Sequence, residues 1–312
     1  MNTPNLSYHA PVLLQECLNA LPLEQPGILV DATFGGGGHS AHILSKMADG
    51  SQLFAFDQDT DALKNAEEPP FAHRADFHFV ASNFRHLKRM LRAEGIRPGT
   101  VSAILADLGV SSFQLDTPER GFSYRYDAPL DMRMNTSEEV SAATVLNTYS
   151  AAELQRVFGE LGEVRNAKTF AQACVEFRVA TPFSTTGDLV RLCDRWYMGD
   201  RMRYLSQVFQ ALRMEVNEEV QALKDFLEQS LEMLEEGGVL IVLTYHSIED
   251  RYVKHYLKAG NFEGEPEKDF FGNISRPWDL VNKKPVEATE AEIKENPRAR
   301  SAKLRVAEKR RK

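Results

Sequence analysis

Four short apolar runs alternate with longer amphipathic stretches along the first third of the chain. The runs have the length of strands and cover Ile28–Asp31, Gln52–Asp57, Phe77–Val80 and Ala103–Asp107. Strands that alternate with helical stretches predict a parallel β-sheet with crossover helices. Three of the four runs end at an aspartate. Because ligands of open α/β sheets bind outside the carboxyl ends of the strands, the pattern predicts a ligand site at that edge.

This alternation stops after the fourth run. Residues 108–135 contain glycine, serine, proline and aromatic residues without periodicity. A loop of this length inside a domain is usually functional or disordered, and its aromatic and methionine side chains argue against disorder. From Ser141 to about Tyr197 the pattern is helical and includes no strand candidate. The predicted helices in this block are Ala151–Phe158, Ala167–Arg178 and Thr186–Trp196.

The strand pattern returns near the end of the sequence. Ser206–Glu236 predicts one or two long helices that end at a pair of glycines, and Val239–Thr244 predicts a fifth strand. Alternating apolar and basic side chains over Ser301–Glu308 are typical of a last strand with one wet face. We therefore expect a sheet domain that is split by an all-helical insertion. The expected boundaries are 1–136 and 206–312 for the sheet domain and 137–205 for the insertion.

Composition excludes several classes of protein. Apolar residues make up 43% and charged residues 26% of the chain, as in ordinary globular domains. No apolar run approaches the ~20 residues of a membrane-spanning helix, and residues 1–8 lack the pattern of a secretion signal. Cys17, Cys174 and Cys193 lie far apart without a CxxC pair, which predicts neither a metal site nor a disulfide framework. We expect a cytoplasmic protein that has no membrane partner.

The charge is unevenly distributed. The net charge of −8 argues against a general binder of naked nucleic acid, because such binding depends on neutralising phosphates. Residues 298–312 nevertheless contain eight basic side chains and the single acid Glu308. This segment is either a solvated tail or a stripe that faces phosphates.

A glycine-rich turn follows the first predicted strand and opens a helix. It covers Asp31–Ser40 and includes four consecutive glycines. Glycines allow the backbone to pass close to a ligand and to adopt a positive φ. Asp57 follows Gly37 by 20 residues, at the end of the second strand, where a carboxylate can accept hydrogen bonds from a ribose diol. The turn and the acid together predict a nucleoside cofactor.

The spacing within the turn favours S-adenosylmethionine over NAD. A dinucleotide site has the pattern G-x-G-x-x-G, and Gly35-x-Gly37-x-x-Ser40 matches it poorly. Asp31 suits an adenosyl cofactor with an amino-acid tail, whose ammonium group it can help to bind directly or through water. Phe84 has two interpretations: it lies against the adenine, or it is a core aromatic residue at the start of a helix.

Motifs along nearly the whole chain resemble the bacterial small-subunit ribosomal RNA methyltransferase H family. They occur in order and cover His9–Glu16, Asp31–Ser40, Asp107–Asp116, Arg120–Ser123, Pro129–Met134, Phe209–Arg213, His246–Arg251 and Asn296–Ser301. The family methylates the exocyclic N4 of a cytidine in the decoding centre of 16S rRNA. Two departures are Thr244-Tyr245, where the family more often has Ser-Phe, and residues 260–290, which match poorly.

The resemblance implies a fold, a cofactor and a substrate. The fold is a Rossmann-like class I methyltransferase sheet with an inserted all-helical subdomain, and the insertion is expected to recognise the RNA. The cofactor is S-adenosyl-L-methionine, and the substrate is 16S rRNA within the assembled small ribosomal subunit. The oligomeric state stays open between monomer and homodimer. The implied cofactor contacts are Gly37, Gly38, His39, Asp57, Phe84, Asp107 and Gln114.

Asp107 is the candidate catalytic residue. The lone pair of the cytosine amine is delocalised into the ring, so the enzyme must hold this poor nucleophile in line with the methyl group. Either Asp107 accepts a hydrogen bond from the amine, or carbonyl groups of residues 108–111 do so and Asp107 binds only the cofactor. The chain lacks the Asp/Asn-Pro-Pro-aromatic turn that many amino-methyltransferases have at this position.

Methylation at carbon 5 of cytosine would require a cysteine nucleophile. None of the three cysteines lies at the end of a predicted strand, and each is expected to be a small buried residue. The sequence therefore disfavours carbon-5 chemistry without reference to the family.

The start of the helix after the fifth strand has two interpretations. His246 is a general base, or Ser247 and Asp250 form a capping box that starts the helix. The two roles are compatible.

Two polar groups elsewhere also have two interpretations each. Gln210, Arg213 and Asn217 share one helix face, which is either solvated or a wall of the site that contacts RNA or the Asp107 loop. The segment 124–126, Tyr-Arg-Tyr, either stacks on a splayed base or anchors its loop.

Other functions remain as alternatives. One is a small-molecule methyltransferase or a nicotinamide oxidoreductase on a similar sheet. Another is a ribosome-assembly factor that binds the cofactor without turnover. Binding of NAD but not of S-adenosylmethionine would favour the oxidoreductase, and methyl transfer to purified small subunits would separate a catalyst from a binding factor.

Overall fold

The computed structural model describes residues 11–266 and 276–311. The sequence prediction for residues 1–8 lies outside these residues. Parts of three others also lie outside them: His9 and Ala10 of the first motif, residues 267–275 of the poorly matching segment 260–290, and Lys312 of the basic segment 298–312. The chain divides into two compact units. The sheet unit comprises Met1–Gly109 and Gln221–Lys312, and the helical unit comprises Val110–Val220.

Within the described residues, eight strands form one sheet in the sheet unit. The strands are β1 (Ile28–Asp31), β2 (Gln52–Asp57), β3 (Phe77–Ala81), β4 (Val101–Asp107), β5 (Leu234–Thr244), β6 (Trp278–Leu280), β7 (Val286–Glu287) and β8 (Lys303–Lys309). Their order is β3-β2-β1-β4-β5-β8-β6, and β7 also pairs with β8. The pairs from β3 to β5 are parallel, and β8 runs antiparallel to β5. This order confirms the predicted Rossmann-like sheet of class I methyltransferases.

Helices connect the parallel strands and make up most of the helical unit. The helices are α1 (Leu14–Ala20), α2 (Gly38–Lys46), α3 (Thr60–Ala66), α4 (Leu87–Ala93), α5 (Ser112–Asp116), α6 (Ala142–Thr148), α7 (Ala151–Arg156), α8 (Ala167–Ala180), α9 (Thr186–Trp196), α10 (Arg201–Val216), α11 (Glu219–Met233), α12 (Ser247–Ala259) and α13 (Glu290–Glu295). Shorter 3-10 turns cover Phe84–His86, Pro118–Arg120 and Pro297–Ser301, and a π-helical segment covers Val157–Leu161.

The parallel pairing places three aspartates at one edge of the sheet. β1 lies between β2 and β4, and both pairs are parallel. Asp31, Asp57 and Asp107 are the last residues of these three adjacent strands. The carboxyl ends of the three strands therefore lie at one edge of the sheet, as the sequence predicted, and the turns that follow the strands line this edge.

Side-chain alternation gives the sheet unit an apolar core on each face. Along β2, Leu53 and Ala55 join the cluster that contains residues of α1 and α2. Phe54 and Phe56 point to the other face and join the cluster that contains residues of α4, α11 and α12. Because both faces are covered, the strand is a nearly continuous apolar run instead of an apolar–polar alternation.

The helical unit is larger than the predicted insertion at 137–205. Its core includes Phe122, Leu130 and Met132 from the preceding loop, and Val208 and Leu212 from the last turns of α10. These side chains are at most 6% exposed. Because these apolar side chains are buried together, residues 110–136 and 206–220 belong to the same unit as the helices at 137–205. The first segment has no helical periodicity, and the sequence assigned the helical second segment to the sheet domain.

Much of the basic segment at the end of the chain is built into the sheet and is not a solvated tail. Residues 303–309 form β8, which lies between β5 and β6 in the interior of the sheet. Arg305 is 9% exposed and forms a bidentate ion pair with Asp250 of α12. Arg310 pairs with Asp279, and Lys309 donates to the carbonyl of Leu234. Much of the positive charge therefore serves the fold.

A search of the described helices finds none with the length and hydropathy of a membrane span.

The buried ion pair between Asp250 and Arg305 is expected to matter for stability. Burial alone would raise the pKa of Asp250, but Arg305 and Lys303 hold this pKa below its ordinary value. Asp250→Asn leaves the buried guanidinium without its counter-charge, so we expect the free energy of unfolding to fall by about 3 kcal/mol in urea titrations. The exposed pair Arg310–Asp279 provides the control, and Asp279→Asn should cause no measurable loss. Equal losses in the two variants would contradict the assignment.

Candidate active site at the carboxyl ends of the strands

The glycine turn is shaped by contacts within the protein. Gly37 is the N-cap of α2 and has a φ of +76°. A Cβ atom at Gly37 would lie 2.6 Å from the ring of Phe71, and one at Gly38 would lie 2.6 Å from Pro11. A side chain at either position would therefore disturb the packing under the turn. These two glycines begin α2 at the predicted edge of the sheet.

Asp57 accepts hydrogen bonds from the turn that faces it. Its Oδ2 accepts from the backbone N–H of Gly35 at 2.7 Å, and its Oδ1 accepts from the N–H of Asp59 at 2.9 Å. Burial raises the pKa of Asp57 to about 6, although the two backbone hydrogen bonds act in the opposite direction. Each carboxylate oxygen has two lone pairs, so this partly exposed side chain can also accept from the hydroxyl groups of a ligand.

Asp31 is buried beneath the glycine turn and accepts hydrogen bonds from two of its residues. It is 1% exposed, and its Oδ2 accepts from the hydroxyl of Ser40 at 2.6 Å while its Oδ1 accepts from the N–H of Thr33. Burial raises its pKa. Because the carboxylate is enclosed, Asp31 is not available for the direct contact with an ammonium group that the sequence suggested. Its effect on a ligand would be exerted through its charge and through the shape of the turn.

Phe84 has the packing role that one of its two interpretations predicts. It begins the 3-10 turn after β3, and its ring packs edge-to-face on Phe226 of α11, with 5.3 Å between the ring centroids. The residue is nevertheless partly exposed. Phe84 is therefore a core aromatic residue on one side and offers apolar surface on the other.

Asp107 is the centre of a hydrogen-bonded cluster. The hydroxyl of Tyr245 donates to its Oδ1 at 2.6 Å, and Nδ1 of His39 lies 3.8 Å from its Oδ2. The backbone N–H of Asp107 donates to the hydroxyl of Thr33 at 2.6 Å. The buried ring of His39 is held from its other side, where Nε2 lies 3.2 Å from the carbonyl oxygen of Val12. The structure thus brings two predicted site residues, His39 and Asp107, into one cluster.

The surroundings of Asp107 make its carboxylate a stronger base than usual. Burial raises its pKa, and Asp31 and Glu249 contribute in the same direction. His39 and the hydrogen bond from Tyr245 lower it, and the net direction is upward. The side chain is 25% exposed, so it is accessible from the edge of the sheet. A carboxylate with a raised pKa is better matched to accepting a proton near neutral pH.

His246 is the N-cap of α12, one residue before the predicted N-cap Ser247. Its Nδ1 accepts from the backbone N–H of Glu249 at 3.4 Å, and its Nε2 lies 3.0 Å from Oε1 of Glu249. Asp250, which the sequence assigned to the box, instead binds Arg305. The shift follows from the start of the helix at Ser247, which leaves His246 in the extended conformation of an N-cap residue.

Gln114 lies in the helical unit, unlike the other six predicted cofactor contacts. It is in α5 and is 5% exposed. Its side-chain Oε1 accepts from the backbone N–H of Ser111, and its backbone N–H donates to the hydroxyl of Ser111. These two hydrogen bonds form a capping box. The side chain therefore has a local structural role at the start of α5.

The polar stripe on α10 binds the protein itself. Gln210 donates to the carbonyl of Leu161 at 3.0 Å, and Arg213 forms a bidentate pair with Glu219. Asn217, the C-cap of α10, accepts from the N–H of Met134 and donates to the carbonyl of Met132. This face is thus not a solvated one, because its side chains fix the loop at 132–134 and the end of α10.

The segment at 124–126 was predicted either to anchor its loop or to stack on a base, and its residues differ in their surroundings. Tyr124 packs edge-to-face on Phe209, and its hydroxyl lies 3.1 Å from that of Ser206, so it anchors the loop. Tyr126 is 51% exposed and Arg125 is also exposed. These two side chains are the more exposed members of the segment, while Tyr124 is half-buried.

Two residues of the cluster were not among the predicted site residues. Thr33 lies inside the glycine turn, but the sequence contains no signal that its hydroxyl reaches the end of β4. Tyr245 was visible only as a departure from the family pattern. Its contact with Asp107 depends on the parallel pairing of β4 with β5, in which Asp107 lies beside Leu243.

Comparison with known proteins shows to which family this chain belongs. Residues 6–310 match the model of the MraW methylase family. The chain is 49% identical over 303 residues to the ribosomal RNA small subunit methyltransferase H of Cytophaga hutchinsonii, covering 97% of this chain and 99% of the relative. It is 50% identical over 309 residues to the protein of that name from Flavobacterium johnsoniae, with 98% and 99% covered.

A third relative agrees with these two. The protein of the same name from Parabacteroides distasonis is 47% identical over 310 residues, which cover 99% of this chain and 100% of the relative. The family that the motifs predicted is thereby confirmed. This chain belongs to the MraW methylase family.

Proposed function

We propose that this protein transfers a methyl group from S-adenosyl-L-methionine to the exocyclic N4 of a cytidine in the decoding centre of 16S rRNA. The observation that carries the proposal is the near full-length relationship, at 47–50% identity, to proteins named ribosomal RNA small subunit methyltransferase H. The position on the base and in the RNA comes from the family resemblance of the motifs.

The residues at the edge of the sheet fit this cofactor. Asp57 provides hydrogen-bond acceptors for a ribose diol, and the exposed side of Phe84 provides apolar surface for an adenine. The pKa values of Asp31, Asp57 and Asp107 are all raised, mainly because their carboxylates are buried. A cofactor that carries a sulfonium and an ammonium group would supply the positive charge that such carboxylates favour. We assign the cofactor contacts to Gly37, Gly38, His39, Asp57, Phe84, Asp107 and Gln114.

Asp107 is the proposed catalytic residue. When bound, S-adenosylmethionine supplies an activated methyl group, whose carbon bonds to the amine nitrogen as the carbon–sulfur bond breaks and its electron pair stays on sulfur. The nitrogen must then release one proton. Asp107 is suited to accept a hydrogen bond from the amine and then this proton, because its carboxylate is accessible and its pKa is raised.

The cysteines support N4 over carbon 5 as the position of methylation. All three thiols are fully buried, and burial raises the pKa of each well above its ordinary value. A cysteine nucleophile acts as a thiolate in an accessible position. Cys17, Cys174 and Cys193 therefore do not suit the covalent step that carbon-5 chemistry requires.

We assign RNA recognition to the helical unit, and six of the seven proposed cofactor contacts belong to the sheet unit. The helical unit carries exposed aromatic side chains, Tyr126, Trp196 and Tyr197, which are 38–51% exposed. Aromatic rings of this kind stack on splayed bases in single-stranded RNA. The acidic net charge favours a structured cytoplasmic particle, the small ribosomal subunit, over free RNA as the substrate.

The reaction can be tested on ribosomal subunits. We expect the purified protein to add one methyl group to small subunits from a strain that lacks this activity, and nucleoside mass spectrometry should identify N4-methylcytidine. Protein-free 16S rRNA from the same subunits is the matched control and should be a poorer substrate. Formation of 5-methylcytidine, or the absence of any new methylated nucleoside, would contradict the proposal.

The role of Asp57 predicts a pH dependence of cofactor binding. Because the pKa of Asp57 is about 6, protonation below this pH removes an acceptor for the ribose, so affinity should decrease as the pH falls through 6. Asp57→Ala should weaken binding about 10-fold or more at pH 8 and abolish this pH dependence. Calorimetry at several pH values measures both effects.

Asp76 offers a control for this measurement. It precedes β3, at the amino ends of the parallel strands, and its carboxylate pairs with Arg74. Asp76→Ala should bind the cofactor like the wild type at every pH. If Asp57→Ala also does so, Asp57 has no part in the site.

Asp107→Asn distinguishes the two roles considered for this residue. If Asp107 accepts the proton of the amine, kcat should fall about 10²–10⁴-fold while the Kd of the cofactor changes much less. If it binds only the cofactor, the Kd should rise and kcat at saturating cofactor should be retained. The second result would remove Asp107 from the catalytic step.

A further inference from the structure

Tyr245 occupies a fixed position above the end of β4. It follows β5, whose residue Leu243 lies beside Asp107 in the parallel pair. The backbone N–H of Tyr245 donates to Oε2 of Glu249 at 3.2 Å, and Glu249 is 5% exposed in the first turn of α12. Both the strand and the helix start therefore determine where the phenol lies.

The phenol contacts one specific atom of Asp107. Its hydroxyl donates to Oδ1 at 2.6 Å, whereas Oδ2 faces His39 at 3.8 Å. A hydrogen bond to an ionised carboxylate is stronger than one between neutral groups and restricts rotation of the acceptor. With Oδ1 engaged, the orientation of the carboxylate is set, and Oδ2 is the oxygen left for a substrate.

We propose that Tyr245 is a positioning residue for methyl transfer, which holds Oδ1 of Asp107 so that Oδ2 is presented to the amine of the substrate. The inference rests on the proposed function, because it takes Asp107 as the group that faces the amine. Tyr245 itself need not touch the substrate or the cofactor.

The electrostatic surroundings explain why such a donor is needed. Among the described residues, the charged or titratable groups that interact with Asp107 include His39 of α2, Asp31 of β1, Glu249 of α12, Cys17 of α1 and Tyr245. Burial and the two carboxylates favour the protonated form of Asp107, whereas His39 and Tyr245 favour the ionised form. Burial and the neighbouring Asp107 raise the pKa of the phenol well above its usual value, so Tyr245 remains a donor.

Tyr245→Phe removes this donor and keeps the ring. Without the hydrogen bond the ionised form of Asp107 is less favoured, so its carboxyl group should titrate about one pH unit higher. This can be measured in the protein without cofactor by NMR of ¹³C-labelled aspartate carboxyl groups, with Asp107→Asn to assign the signal. The acidic limb of the pH–rate profile for methyl transfer should also move to higher pH.

Tyr256→Phe is the matched control. Tyr256 lies in the same unit on α12, where its buried ring packs on Phe262 with 5.0 Å between the ring centroids. Removal of its hydroxyl should leave both the Asp107 titration and the pH–rate profile unchanged. A shift of the Asp107 signal in Tyr245→Phe alone, accompanied by the kinetic shift, supports the inference.

The outcomes separate this inference from the proposed function. An Asp107 signal that titrates identically in the wild type and in Tyr245→Phe overturns the positioning role, whatever the enzyme methylates. A shifted signal with an unchanged pH–rate profile also overturns it, because the phenol would then act on a carboxylate that takes no part in the reaction. If the wild type transfers no methyl group to small subunits, the proposed function fails, and this inference fails with it.

Discussion

The pairing of β4 between β1 and β5 is the constraint on which the candidate site depends. Residues 103–106 of β4 are fully buried, and their side chains pack alternately on the two faces of the sheet. A shift of one residue would move each of them to the opposite face, where the closely packed neighbours surround a side chain of another shape, so packing fixes the register. This register places Asp107 at the edge, where its backbone binds Thr33 and its carboxylate binds Tyr245.

The last strand, β8, supports the position of Tyr245 through α12. β8 inserts antiparallel to β5, and its Arg305 binds Asp250 in the first turn of α12. That turn also carries Glu249, which holds the backbone of Tyr245. The basic end of the sequence therefore supports the residue beside Asp107 through packing and ion pairing.

The edge of the sheet concentrates negative charge at an energetic cost to the folded protein. The carboxylates of Asp31, Asp57 and Asp107 end three adjacent strands, and burial raises the pKa of each. Hydrogen bonds from Ser40, the backbone of the glycine turn and Tyr245 offset part of this cost. A positively charged ligand would offset more of it, which is the physical basis for proposing a sulfonium cofactor here.

Some elements can be predicted from the sequence because their signals are local. β1, β2 and α9 have their predicted bounds, because an apolar run that ends in an acid, or a helix with a capping threonine, needs no distant partner to be recognised. Local signals also mark the ends of β1, β2 and β4, so the glycine turn and the three aspartates can be predicted to lie at one edge of a parallel sheet. The eight motifs predicted the family for a different reason, since they match a known pattern along nearly the whole chain.

The tertiary structure decided which side chains meet. Gln210, Arg213 and Asn217 were recognisable as one helix face, but only folding shows that their partners belong to the protein. The extent of the helical unit, the burial of Arg305 and the hydrogen bond from Tyr245 to Asp107 likewise join residues that are distant in sequence. Such contacts depend on strand order and register, which periodicity and composition do not specify.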